Sequence, residues 1–202
     1  MKPILFNTDM VRAILEGRKT VTRRDPFQTP PDYDVLKGLY RDSKERLCAL
    51  FQCGNDPTTE TAYARYDRGN ILWVREAFGM ASDLLGAIPG PVYRADYTDS
   101  ELCSIRAKHY RWRPSIHMPR EAARIFLKVT SVRVERLQDI NLDPPGPDNQ
   151  VIKEGLHYLC DFIAVWEMTI KPANRPLYGW DANPWVWVIE FERCEKPEGW
   201  PG

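Results

Sequence analysis

Residues Gly17-Arg18-Lys19-Thr20-Val21-Thr22-Arg23-Arg24 are where the chain changes from one secondary structure to another, and the fold reads outward from them. Gly17 is a natural stop for a helix, because glycine adopts the left-handed conformation that ends one. Thr20, Val21 and Thr22 are β-branched, so Thr20 to Arg24 is predicted as a strand. Upstream, Val11, Ile14 and Leu15 fall on one helical face, and Asn7 or Thr8 can cap it. Thr8 to Glu16 is therefore predicted as a short helix. The chain opens as strand or coil, helix, glycine turn, strand.

Downstream, Asp25 to about Glu60 is weakly patterned and carries Pro26, Pro30, Pro31 and Pro57. It is expected to be a long irregular insertion with a helical piece near Lys44 to Phe51, and a connection of that length commonly carries function. Thr61 to Tyr66 and Ile71 to Arg75 are predicted strands around a turn at Asp67 to Asn70. Ala81 to Pro91 is expected to be a loop and Val92 to Ala95 a short strand, while Glu101 to Arg113 fits no pattern. Arg124 to Glu135 is the clearest strand. Asp143 to Pro147 forms a turn that can continue neither strand nor helix. Asp148 to Glu154 is a short helix ending at Gly155, Leu159 to Ile170 an amphipathic helix, and Trp185 to Phe191 a closing strand. Short strands, turns and few helices point to a mainly β fold with flanking helices, an α+β class arranged as a small barrel rather than a parallel sheet.

The chain has 202 residues, enough for one domain, 1–202, with an insertion at about 25–60. Lys plus Arg and Asp plus Glu both number 28, so the formal net charge is zero. Coating of nucleic acid by bulk positive charge is excluded on that balance, leaving a local patch or pocket. No apolar run approaches the roughly 20 residues a membrane-crossing helix needs, so no membrane association is expected. Met1 to Thr8 lacks the pattern of a signal peptide. The five irregularly spaced cysteines fit a reducing, cytoplasmic setting better than a disulfide framework.

The Gly17 to Arg24 segment resembles the ASCH family of PUA-like β-barrels. Its hallmark is Gly-x-Lys-x-x-Glu-x-Arg between the first helix and the next strand. Gly17, Lys19 and Arg24 stand at matching positions, and Thr22 departs where the family has Glu. The same departure occurs in small bacterial ASCH enzymes that remove the acetyl group from N4-acetylcytidine. Their working set is the matching Lys and Thr with a Glu in a helix after the long central strand, which corresponds here to Glu154 in Val151-Ile152-Lys153-Glu154-Gly155. The resemblance also covers Gly69 to Val74 and Arg124 to Ile140. Ser115 to Arg120 and Asn183 to Val188 are similar to segments of longer phage and prophage ASCH proteins. It implies a PUA-like barrel with long insertions, no cofactor, and a nucleoside or RNA as partner.

A threonine nucleophile needs a base to take its proton. At its ordinary pKa roughly one lysine in 2500 is neutral at pH 7, and raising that fraction to about one in ten costs roughly 3.3 kcal/mol. Burial and Arg18, Arg23 and Arg24 act in that direction, and a nearby Glu154 acts against it. Two assignments stay open. Either Lys19 is the base and Glu154 orients it, or Glu154 is the base and Lys19 stabilises the oxyanion. On a regular strand Thr20, Thr22 and Arg24 share a face and Lys19 belongs to the other, so Lys19 must lie where the strand is not yet regular.

Other candidates for contact with a base or phosphate are Arg24, Thr20, Glu76, His117, Arg120, Trp180 and Trp185. Basic and aromatic residues alternate over His109 to Arg120, as phosphate contact with stacking requires; a solvated loop has the same composition. Trp180 and Trp185 flank a polar loop and are expected at a pocket wall, whereas Trp73, Trp166 and Trp187 read as core. The cysteines and His109 match no zinc spacing, so no metal is expected. Two functions compete with an amidohydrolase. One is a non-catalytic reader of RNA or modified bases, and the other is a phage accessory factor that binds a host protein through the insertion.

Overall fold

The computed structural model describes residues 1–24, 34–80, 90–107, 110–140 and 148–201. Its strands are β1 (Lys2–Leu5), β2 (Val21–Arg24), β3 (Val35–Arg41), β4 (Leu47–Gln52), β5 (Thr59–Tyr63), β6 (Ile71–Arg75), β7 (Phe78–Met80), β8 (Pro91–Tyr93), β9 (Phe126–Arg136) and β10 (Trp185–Cys194). Its helices are α1 (Thr8–Leu15), α2 (Asp99–Ala107), α3 (Gln150–Lys153), α4 (Leu159–Thr169) and α5 (Arg175–Tyr178). The architecture is mainly β with several helices, an α+β arrangement, and among the described residues no sheet closes on itself. The turn at Asp143 to Pro147, nearly all of the Ala81 to Pro91 loop, His109 and the first part of the expected insertion lie outside the described residues.

The chain packs as two compact units, each assembled from separated stretches of sequence. One comprises Met1–Arg18, Ile71–Lys128 and Glu192–Gly202, the other Lys19–Asn70 and Val129–Phe191. In the first unit β1 runs parallel to β6, with Lys2 opposite Leu72. The start of β9 pairs antiparallel with β6, Trp73 opposite Phe126. The α1 helix is capped by the Asn7 side chain, which accepts from Met10 N–H at 2.8 Å. It ends at Gly17, whose φ of +77° needs no Cβ. The core gathers Trp73, Phe78, Met118, Ala122, Ala123, Phe126 and Trp200.

In the second unit the order is β9, β10, β2, with β10 antiparallel to β2. Val21, Val186 and Val188 pack with Leu137, Ile140, Val151, Phe162, Trp166 and Ile170. The helix α4, with its buried Phe162 and Trp166, thus covers one face of this sheet.

The same unit holds the three-stranded antiparallel sheet β3, β4, β5, which corrects the expectation of an irregular insertion with a helix over Lys44 to Phe51. The residues that looked like a helix start form a hairpin turn instead. Asp42 Oδ1 accepts from the N–H groups of Lys44 and Arg46, and Glu45 takes a left-handed φ of 57°. Ala49, Phe51 and Ala62 then bury the inner face of the sheet. Alternation in Leu47 to Gln52, a period of two, prevails over the helix-forming composition of Lys44 to Arg46. The Glu101 to Arg113 stretch, which had no predicted structure, contributes to α2.

Candidate functional site

The second unit buries four charged or hydroxyl side chains within its sheet and helix layer: Lys19, Thr22, Arg23 and Glu154, none more than 5% exposed. Backbone hydrogen bonds explain how two distant segments meet there. Thr20 N–H donates to Lys153 O at 2.9 Å, and Thr20 O accepts from Phe191 N–H at 2.9 Å. Thr20 therefore ties the start of β2 both to β10 and to the end of α3. Lys19, one residue earlier, lies outside the regular strand, which begins at Val21.

The Lys19 ammonium donates to Glu154 Oε2 at 2.9 Å, to Glu154 O at 2.7 Å and to Val21 O at 2.7 Å. One of these acceptors is the carbonyl that follows α3, a group a helix end leaves without a partner. Burial lowers the Lys19 pKa from its ordinary value; Glu154 opposes that, while Arg24 and Arg23 add to it. Three acceptors surround the ammonium, and burial makes its proton easier to give up than in water.

Arg23, expected from the sequence only as one of the cations lowering the Lys19 pKa, is the third member of the buried ion-pair cluster. Its Nη1 donates to Glu154 Oε1 at 3.0 Å, and its Nη2 donates to Glu135 Oε2 at 3.3 Å and to Gln150 Oε1. The guanidinium carbon lies 5.9 Å from the Phe162 ring centroid. Glu135 in turn accepts from Arg133, which also bridges to Glu190. Three cations thus alternate with three carboxylates along Lys19, Glu154, Arg23, Glu135, Arg133 and Glu190. Strand parity was the signal that could have identified Arg23, since it shares the face of Val21 and the apolar layer beneath α4.

Thr22 stands on the other face. In the β2–β10 register Thr22 opposes Ile189 and Arg24 opposes Trp187, whereas Arg23 opposes Val188. Among the described residues no hydrogen bond joins the Thr22 hydroxyl to Lys19 or Glu154. Burial lowers the Arg24 pKa, with Tyr66 and Glu154 opposing and Arg65 adding to the shift.

Of the aromatic candidates in this unit, Trp185 packs against Phe51 at 5.7 Å between centroids, and the Arg136 guanidinium covers its ring at 4.3 Å. The Trp185 indole N–H has no partner among the described residues. Arg136 donates to two main-chain carbonyls, Asn183 O at 3.1 Å and Asp34 O at 2.9 Å, and joins no ion pair among the described residues. Trp180 instead sits edge-on to Phe162 at 6.2 Å, half-buried against the core.

Glu76, His117 and Arg120 belong to the first unit. Glu76 is buried and held bidentately by Arg124, Nε to Oε1 at 2.9 Å and Nη2 to Oε2 at 3.1 Å. Burial pushes its carboxyl up, against the pull of Arg124. His117 is exposed in a turn, and Arg120 lies over the Trp200 ring at 4.1 Å. Among the described residues no three His, Cys, Asp or Glu side chains form a metal-binding group, and no helix is long and apolar enough to cross a membrane. Set against known protein families, curated proteins and solved structures, the chain finds no match.

Proposed function

We propose that the chain is an ASCH protein of the PUA-like class whose second unit hydrolyses the amide of an N4-acetylcytidine-type nucleoside. The observation that carries this is the buried 2.9 Å contact between Lys19 and Glu154, with the buried Thr22 three residues along the chain from Lys19. These are the three positions that the motif resemblance marks. In the reaction Thr22 Oγ1 attacks the amide carbonyl carbon, and its proton passes to the Lys19–Glu154 pair. The C–N bond breaks as the pair returns a proton to the departing amine. Water then cleaves the acyl-threonine, releasing acetate and restoring the hydroxyl. The ammonium also offsets charge on the tetrahedral oxygen. The hydroxyl is not bonded to the pair at rest and stands on the face of β2 opposite Arg23, so in this reading its proton reaches the pair through one bridging water or the bound substrate. Incubation of the purified protein with N4-acetylcytidine, followed by chromatography, should release cytidine, and Thr22→Ala should abolish release. No turnover, or undiminished turnover by Thr22→Ala, rejects the proposal.

A second reading, a base or RNA reader that does no chemistry, is favoured by one observation. Arg136 is stacked on Trp185 and joins no ion pair among the described residues, with Asp34 and Asp139 near enough to act on its charge. Guanidinium planes and indole rings of this kind stack bases and meet phosphates. It predicts binding of an unmodified RNA oligonucleotide that weakens with salt, and Arg136→Ala should reduce the logarithmic salt slope by about one. Binding that is unaffected by Arg136→Ala, or no binding at all, counts against it.

A further inference from the structure

Glu154 has two carboxylate oxygens and two buried cations, and each oxygen takes one cation: Oε2 meets Lys19 at 2.9 Å and Oε1 meets Arg23 at 3.0 Å. The side chains of Lys19 and Arg23 are both 0% exposed, so neither charge is open to bulk solvent. Arg23 is itself held from behind by Gln150 and Glu135, and from the side by the Phe162 ring. Both Nη groups of Arg23 are aimed at acceptors within an apolar layer, and its buried Nε has no partner among the described residues.

We propose that Arg23 is a positioning residue for the Lys19–Glu154 pair. By occupying Oε1 it divides the carboxylate between two cations and prevents Lys19 from claiming the whole of it. The proposal rests on the hydrolytic reading for its catalytic consequence, but not for its electrostatic one. With Arg23 present, the Lys19 ammonium faces half of a shared carboxylate and a nearby like charge. With Arg23 absent, Glu154 turns its undivided charge to Lys19 and the ammonium is held more firmly. Both changes act in the same direction. The charged groups around Lys19 are Glu154 from the end of α3, and Arg23 and Arg24 from β2. Glu135 lies behind Arg23 and Arg133 behind Glu135. Lys153, adjacent to Glu154 in sequence, is engaged outward with Asp148 at 3.1 Å. Gln150 orients Arg23 without adding charge, so Glu135 is the lever that tunes Arg23 from outside.

The test follows the Lys19 Nζ resonance by heteronuclear NMR against pH in the substrate-free protein, with Lys19→Met identifying the signal. Arg23→Gln should move the Lys19 titration upward, and Arg23→Lys, which keeps the charge, should stay closer to wild type. Glu135→Gln removes the carboxylate, 21% exposed, on the outer side of Arg23 and leaves Arg23 less compensated, so it should move the titration downward. An Arg23→Gln midpoint equal to or below wild type overturns the proposal. If Arg23→Gln does not fold, a Glu135→Gln midpoint at or above wild type overturns it equally. Against N4-acetylcytidine, Arg23→Gln should lose kcat with KM nearly unchanged and Arg23→Lys should recover part of the loss. A wild-type protein that titrates as described but turns nothing over rejects the hydrolytic reading and leaves the role of Arg23 in the pair standing.

Discussion

The ammonium of Lys19 and the carboxylate of Glu154 meet at 2.9 Å, although 135 residues of chain separate them. Neither side chain is more than 3% exposed, and their contact is shared with Arg23 rather than with Thr22. Two cations therefore depend on one buried anion, and the members of the cluster are not equivalent.

Glu154→Gln should destabilise the protein more than Lys19→Met. The first leaves Lys19 and Arg23 buried beside a neutral amide and should cost about 3–5 kcal/mol, as loss of one partner of a buried pair does. The second leaves Glu154 paired with Arg23 through Oε1 and frees Oε2 together with two carbonyl acceptors, at about 1–3 kcal/mol. Urea denaturation of both variants orders them, and the reverse order would contradict the shared-anion arrangement.

Stability should respond to alkaline pH through Lys19 in a defined direction. Its folded pKa lies below the ordinary 10.5. Between those two values the unfolded chain binds more protons than the folded one, so the contribution of this group to stability rises with pH. Below the folded value lysine is charged in both states and its burial penalty is present in full. The stability difference between wild type and Lys19→Met should therefore shift toward wild type as pH rises toward 10.5. Denaturation at a series of alkaline pH values measures it; a flat or falling difference would contradict the lowered pKa.

In the first unit Arg124 bridges the buried Glu76 and the more exposed Asp96, the latter at 2.8 Å. Arg124→Ala strands a carboxylate that is 1% exposed and should cost about 3–5 kcal/mol. Asp96→Asn removes only a partly solvated partner and should cost under about 1 kcal/mol. Thermal melts of the two variants should differ clearly, and similar melting points would remove the distinction.

Trp200 fills the core of the first unit, 5.0 Å from Phe126 and 5.8 Å from Trp73 between centroids, and donates from Nε1 to Arg120 O at 3.1 Å. Trp200→Ala should cost about 3–5 kcal/mol. Trp200→Phe should cost less, because it keeps most of the packing and loses mainly the hydrogen bond. Calorimetry on the two variants tests the order.

Local pattern was enough wherever one period dominated. Asn7 caps α1, Gly17 ends it, and the strands at Val21, Ile71, Phe126 and Trp185 follow from β-branched or alternating runs bounded by turns. The helix before Gly155 was legible from its glycine. Where the pattern was mixed it misled: Lys44 to Phe51 has helix-forming residues at its start and strand alternation at its end. A hydrogen-bonded turn at Asp42 and burial of Phe51 decided between them.

By itself the sequence determined which short segments are strands or helices, and the resemblance of its motif marked Lys19, Thr22 and Glu154 as candidates. These depend on side-chain type and on neighbours within a few residues. Only the tertiary structure decided that Arg23 occupies the second oxygen of Glu154, and that Thr22 faces away from Arg23 across β2. A strand's parity shows which residues share a face but not what covers that face. The partner of a buried charge is chosen by packing across distant segments, because in the interior every unpaired charge costs more than the contact that satisfies it.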